Sequence, residues 1–363
     1  HRRTAAPPHR RTVAAAPPDR RWVGRQWTKE DRHASITGRR SALDEASCPV
    51  RAVRNTQDGI RVVTTEGTDD EDVGERVRVS VVSSGICGTD VHLVSFGPSP
   101  VTLGHEFAGR LDDGTRVAVL PVEHCGRCDR CRSEAVQQCT AAFEAMCGIT
   151  RDGGMADAAW VDPSCARRLP EALPSEDACL VEPLAVALHG LHRTEIADGM
   201  RVLVIGAGPI GLCAIAALRA EGVAPDVSAH RANRVEAAAR LGGSTQIGSD
   251  YDVVLDAAGT QESMDAATGA VRPGGTIGVL STFWSPVSIG LGLLMKEVTI
   301  VPAFTYGHHD GSLEFDIAAA LLARTPDLAA TLITHRFELG DAAEAFRVAA
   351  DRDAAAIKVV LMT

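Results

Sequence analysis

The sequence predicts a two-part α/β chain, with a mostly-β portion followed by a doubly wound parallel sheet. Three observations predict it. Between Val50 and Val161, short segments alternate apolar and polar residues, as half-buried strands do. From Met200 onward, strand-like and helix-like segments alternate at short spacing, the pattern of a parallel sheet with helices on both faces. Where that alternation begins, Gly206-Ala207-Gly208-Pro209-Ile210-Gly211 separates an apolar strand from a helix.

Residues 1–47 form a zone of their own. His1-Arg2-Arg3-Thr4 recurs as His9-Arg10-Arg11-Thr12, and both copies run into Ala-Pro-Pro. This low-complexity, basic composition reads as a disordered tail without a catalytic role. Strands are then expected at 50–53, 59–65, 76–82, 116–120 and 155–161, and a helix at 181–192 with Leu184, Leu188 and Leu191 on one side. The second part reads as strand 201–205, helix 212–221, strand 226–229, helix 234–241, strand 251–257, helix 261–271 and strand 276–280. Helices at 313–323 and 342–350 and a strand at 358–361 follow. The expected division is 48–185 with 313–363 as one domain, carrying a cysteine lobe at about 121–142, and 186–312 as the other.

Composition narrows the class. Hydrophobic residues make up 45% and charged residues 23% of the chain, as in ordinary globular proteins. No apolar run reaches membrane-spanning length, so no membrane partner is expected. Residues 1–47 hold 11 Lys+Arg against 5 Asp+Glu, and the rest hold 26 against 42. That acidic body argues against a nucleic-acid partner. No secretory h-region is visible at the start of the sequence, so a reducing cytoplasmic setting is expected. There, closely spaced cysteines mean metal more often than disulfide.

Glycines in Gly206, Gly208 and Gly211, with Pro209 and Ile210, let a backbone approach a pyrophosphate at a helix N-terminus. An acid that would bind the ribose 2′-hydroxyl is expected at the end of the second strand, but Ala229 stands there. His230, Arg231 and Arg234 follow and favour a 2′-phosphate, hence NADP over NAD.

Cys125-x-x-Cys128-x-x-Cys131-x7-Cys139 is the most specific signal in the chain. Four thiolates at these offsets can close a tetrahedron on a structural Zn²⁺. A second set is dispersed: Cys87, His105, Glu106 and Glu182. It offers one soft and two or three harder ligands, which suits a catalytic zinc with an open position.

These motifs resemble those of the zinc-dependent medium-chain dehydrogenase/reductase superfamily, over about residues 49–363. The threonine, sorbitol and polyol dehydrogenases are the branch they look most similar to. Cys87-Gly88-Thr89-Asp90-Val91-His92, Gly104-His105-Glu106, the four-cysteine lobe, Val181-Glu182-Pro183-Leu184 and the glycine run stand in that family's order. The resemblance implies a GroES-like catalytic domain and a Rossmann domain. It makes Cys87 and His105 zinc ligands, places Glu182 at the third-ligand position and makes Glu106 a neighbouring carboxylate able to ligate directly or through water. Asp90 would orient His105. Thr89 and His92 would relay a proton to solvent. The implied reaction oxidises a secondary alcohol of a polyol, sugar, cyclitol or amino alcohol to its ketone, reversibly, in a homodimer or homotetramer.

The chain departs from the family in three places. The segment between Cys87 and His105 is short, which trims one wall of the substrate cleft. Position 229 lacks its acid. Ser281-Thr282-Phe283-Trp284 follows the last coenzyme-domain strand where many relatives have glycine. Phe283, Trp284, Phe304 and Tyr306 fit either a pocket or a subunit interface, and His308-His309 reads as solvated. Two alternatives stand beside the dehydrogenase: a zinc-free NADPH-dependent reductase of the same superfamily, and a non-catalytic coenzyme-binding protein. The first has no use for Cys87, His105 and Glu182, and the second none for Thr89 and His92.

Overall fold

The structure is a computed structural model that describes residues 49–65 and 76–363. The expectation for residues 1–47 lies outside the described residues. Among them, no helix is long and apolar enough to cross a membrane.

The first portion is built on a seven-stranded sheet. Its path runs 333–338, 358–362, 77–86, 106–111, 116–119 and 166–168, and strand 158–161 pairs with the start of 77–86. Strands 50–56 and 59–65 make a separate hairpin. Most strands fall where alternation places them. The strand Glu106–Leu111 escapes the pattern because nearly all its residues are buried on both faces, leaving no polar alternation to read. The helix Gly88–Ser95 escapes it too. Its Val and Thr residues are weak helix formers, and its N-terminus is fixed instead by Cys87 N–H donating to Asp90 Oδ2 at 2.9 Å.

The second portion is a five-stranded parallel sheet in the order 299–302, 271–279, 251–256, 202–205, 226–228. From 202–205 the chain moves to one side through 226–228 and returns to the other through 251–256. That reversal opens a crevice at the carboxyl ends of the two central strands, where doubly wound sheets take their ligands. The helix after the glycine run begins at Pro209, three residues before the apolar periodicity starts, because proline is accommodated in a first turn.

Among the contacts that join the portions, two involve buried groups near helix Val181–Arg193. Helix Val181–Arg193 packs so closely on the end of the parallel sheet that a side chain at Gly190 would collide with Leu280. Glu314, at the start of helix Glu314–Arg324, accepts from His189 Nδ1 at 2.7 Å, His192 Nδ1 at 2.6 Å and Gly307 N–H at 2.7 Å. Burial alone would raise this carboxyl, but the two histidine hydrogen bonds outweigh it and bring it down to about 2.

Candidate active site

Sheet register assembles the first cluster. Strand 77–86 pairs antiparallel with 106–111, putting Gly85 opposite Glu106. It also pairs antiparallel with 358–362, putting Ile86 opposite Val359. Cys87, Glu106 and Lys358 are thereby brought to one end of three adjacent strands, with His105 beside Glu106. One ligand atom each of Cys87, His105 and Glu106 lies within 4.8 Å of the others. A side chain at Gly85 would collide with the Glu106 carboxylate, so the glycine makes the seat for that group.

The charges around this cluster are buried and interlocked. Lys358 Nζ donates to Glu106 Oε1 at 2.8 Å, to Oε2 at 2.6 Å and to the Ile86 carbonyl at 3.1 Å. Its side chain is 2% exposed. Burial works against the ammonium, but Glu106 and then Cys87 outweigh it and raise the amine above its ordinary value. Asp90 is fully buried, with Oδ1 3.3 Å from His105 Nδ1. Neither atom has another partner. Burial disfavours protonation of His105, yet Asp90 and Cys87 lift it well above the usual imidazole range. A thiol, two carboxylates and an imidazole thus share a pocket that recruits positive charge, which is the electrostatic condition for a bound cation.

Glu182 stands outside the 4.8 Å set. It is buried at the start of helix Val181–Arg193, and burial pushes it up to about 7, with Glu106 adding to the effect. The carboxylate gathered next to Cys87 and His105 is therefore Glu106, with Glu182 further out.

The second cluster meets a stricter geometric test. Sulfur–sulfur separations are 3.5 Å for Cys128–Cys131, 3.5 Å for Cys125–Cys139 and 3.9 Å for Cys125–Cys131. A tetrahedron with zinc–sulfur arms of ~2.3 Å has edges of about 3.8 Å. The thiols are also unequal. The backbone N–H groups of Arg127 and Cys128 draw Cys125 down to about 6, whereas burial and its neighbouring thiols push Cys131 up to about 12. The four-cysteine cradle fits a metal ion closely.

At the dinucleotide loop, Gly206 has φ 94°, a left-handed conformation that favours glycine. A side chain at Gly211 would strike the Gly206 carbonyl. Gly208 caps the following helix, whose first residues are Pro209 and Ile210. His230 and Arg231 are exposed just past strand 226–228. Arg234 lies beside the glycine loop. Its guanidinium donates to the Ala207 carbonyl at 3.1 Å and to the Ala356 carbonyl at 2.7 Å, tying the glycine loop to the segment before strand 358–362.

The remaining residues divide. Thr89 is half-buried and His92 is exposed. The His92 ring stacks on Trp284, with centroids 4.4 Å apart. Phe283, Trp284 and Phe304 are exposed, whereas Tyr306 is 1% exposed and packs against Phe315. His308-His309 is not simply solvated. His309 stacks on His192 at 3.6 Å, and His308 Nδ1 lies 3.2 Å from the Glu134 carbonyl. Lys358 and Glu314 are the functional-looking residues that sequence reasoning missed. A lysine within the apolar run Ile357-Lys358-Val359-Val360-Leu361 was the available signal, since such a residue is rarely buried without a partner.

Comparison with known proteins agrees with this geometry. Residues 74–171 match the family described as the alcohol dehydrogenase GroES-like domain. The chain is 30% identical over 300 residues to L-galactonate-5-dehydrogenase of Escherichia coli (strain K12), covering 74% of this chain and 86% of that protein. It is 28% identical over 348 residues to galactitol 1-phosphate 5-dehydrogenase of the same organism, covering 86% and 100%. The solved structure of an alcohol dehydrogenase from Escherichia coli CFT073 complexed with NADH superposes with a TM-score of 0.76 at 26% identity, covering 87% of this chain and 99% of that one. Fold and relatives together define an oxidoreductase that acts on alcohol groups. The chain belongs to the zinc-type medium-chain dehydrogenase/reductase superfamily, in its polyol dehydrogenase branch.

Proposed function

We propose that the protein is a zinc-dependent dehydrogenase that oxidises a secondary alcohol of a polyol, sugar, cyclitol or amino alcohol, reversibly, with NADP preferred over NAD. The observation that carries this reading is the gathering of Cys87, His105 and Glu106 beside a buried aspartate and lysine. When bound, zinc supplies Lewis acidity toward a substrate oxygen and the nicotinamide supplies the hydride acceptor.

The chain's own residues account for the rest. Cys87, His105 and Glu106 hold the catalytic metal, with Glu182 as the adjoining carboxylate. Asp90 holds both the Cys87 backbone and the His105 ring, so the two ligands share one support. Lys358 sets its ammonium against both oxygens of the Glu106 carboxylate. Thr89 and His92 carry the substrate proton outward; Thr89 is half-buried and His92 exposed, so the relay runs toward solvent. Cys125, Cys128, Cys131 and Cys139 hold a second, structural zinc. Gly206, Gly208, Pro209, Ile210 and Gly211 receive the pyrophosphate, and His230 and Arg231 receive the 2′-phosphate. Arg234 contributes by holding the loop. A homodimer or homotetramer is supported by the edge strand 299–302 beside exposed Ile289, Leu291, Leu294 and Met295.

Two measurements test the reading. Metal analysis is expected to find about two zinc ions per chain; one ion with NADPH-dependent enone reduction would instead establish the zinc-free reductase. A panel of polyols and amino alcohols assayed with each coenzyme is expected to show turnover, fastest with NADP. Faster rates with NAD at equal concentration would overturn the coenzyme preference alone.

A further inference from the structure

The His92–Trp284 contact lies outside the roles assigned above. Trp284 belongs to the segment between strand 271–279 and helix Leu291–Met295, at the carboxyl edge of the parallel sheet. His92 belongs to the helix that starts beside Cys87, in the other portion of the fold. Their rings lie 4.4 Å apart with an interplanar angle of 19°. Phe96, one turn beyond His92, tilts against the same indole at 6.1 Å. This is not core packing, because Trp284 remains 37% exposed and Phe96 73%.

The two sides of the contact differ in support. The end of helix Gly88–Ser95 is pinned by buried Asn55, whose amide donates to the Val94 and Gly97 carbonyls at 3.0 and 2.6 Å. The segment 281–290 has no helix or strand. It is tied down near its ends, where Ser281 Oγ donates to the Asp256 carbonyl at 3.2 Å and Ser288 N–H to Gln261 Oε1 at 2.7 Å. Between these ties it borders an apolar cavity of about 470 Å³ lined by Phe283, Trp284, Val287, Ile289, Met264 and Ile300. Trp284 thus rides on a segment held at two points with open space behind it, and it reaches across to a firm helix.

We propose that Trp284 is a specificity-determining residue. It supplies, from the coenzyme-binding portion, the cleft wall that the short segment between Cys87 and His105 leaves out. An indole wall presents carbon surface to the C–H face of an extended polyhydroxylated substrate, whereas a three-carbon alcohol bound at Cys87 and His105 need not reach it. This inference rests on the dehydrogenase reading above.

The test uses the full-length enzyme with both metals bound and its preferred coenzyme. Kinetic constants are measured for propan-2-ol and for the best of sorbitol, galactitol and xylitol. Trp284→Ala is expected to raise the polyol KM about 10-fold, the size of one lost aromatic contact. Its kcat should stay within about 2-fold, and propan-2-ol constants should be nearly unchanged. Trp284→Phe should recover most of the loss. The His92 ring protons, shifted by the indole in the wild type, should return toward ordinary positions in Trp284→Ala. An unchanged polyol-to-propan-2-ol preference in Trp284→Ala, with an active wild type, overturns the inference and leaves the dehydrogenase reading standing. A metal-loaded wild type that oxidises no alcohol overturns both.

Discussion

Cys125, Cys128, Cys131 and Cys139 come from one short loop, and their sulfurs converge through local turns. Cys87 follows one strand, His105 and Glu106 stand at the start of a second, and Lys358, which faces Glu106, opens a third. The first set is largely half-exposed, with only Cys139 buried; in the second, His105 and Glu106 are buried. This difference separates a site that chain geometry makes almost alone from one that exists only while the sheet holds its register. Slipping strand 106–111 by one residue would turn Glu106 to the opposite face. The cysteine lobe would not notice.

Three substitutions probe the contrast, from the largest effect to the smallest. Cys87→Ala is expected to lower kcat/KM by ~1000-fold or more, about 4 kcal/mol of transition-state stabilisation. Its unfolding profile should stay close to wild type; retained turnover would remove Cys87 from the catalytic set. Lys358→Met strands the Glu106 carboxylate in a buried pocket and is expected to cost about 3–5 kcal/mol in urea unfolding. A loss below ~1 kcal/mol would mean that Glu106 does not depend on its lysine, and the register-built site would look as self-sufficient as the lobe. Cys128→Ser is expected to lose one zinc per chain and roughly 2–3 kcal/mol of stability, seen as a Tm lower by about 5 °C, with kcat little changed. A variant as stable as wild type would count against a structural metal in the lobe.

The same contrast explains what sequence reading could reach. The lobe was legible residue by residue, because thiol spacing within one loop is itself the geometry. The glycine run was legible for the same reason, as strand, turn and helix adjoin in sequence. The dispersed cluster was not; Cys87, His105 and Glu182 were connected through family resemblance, and spacing alone could not rank Glu106 ahead of Glu182. That ranking depends on Gly85 facing Glu106 across a strand pair, which no local pattern records. Lys358 and Glu314 were missed because their partners lie more than a hundred positions away in sequence. Position after the second strand points Arg234 toward the coenzyme; no local pattern records that it also donates to the Ala207 and Ala356 carbonyls. In sequence His309 reads as solvated, because only the fold brings it against His192.

The pairing of Lys358 with Glu106 also has a consequence in time. The two residues are separated by 252 positions. During synthesis, the thiol, imidazole and carboxylates of the dispersed cluster emerge long before the cation that balances them. The four cysteines emerge together and can close on a metal as soon as their loop is free. A nascent chain is therefore expected to acquire its lobe ion early, while the catalytic pocket stays open until strand 358–362 docks. In that order, a chain interrupted before Lys358 would hold all four lobe cysteines but lack the cation that faces Glu106.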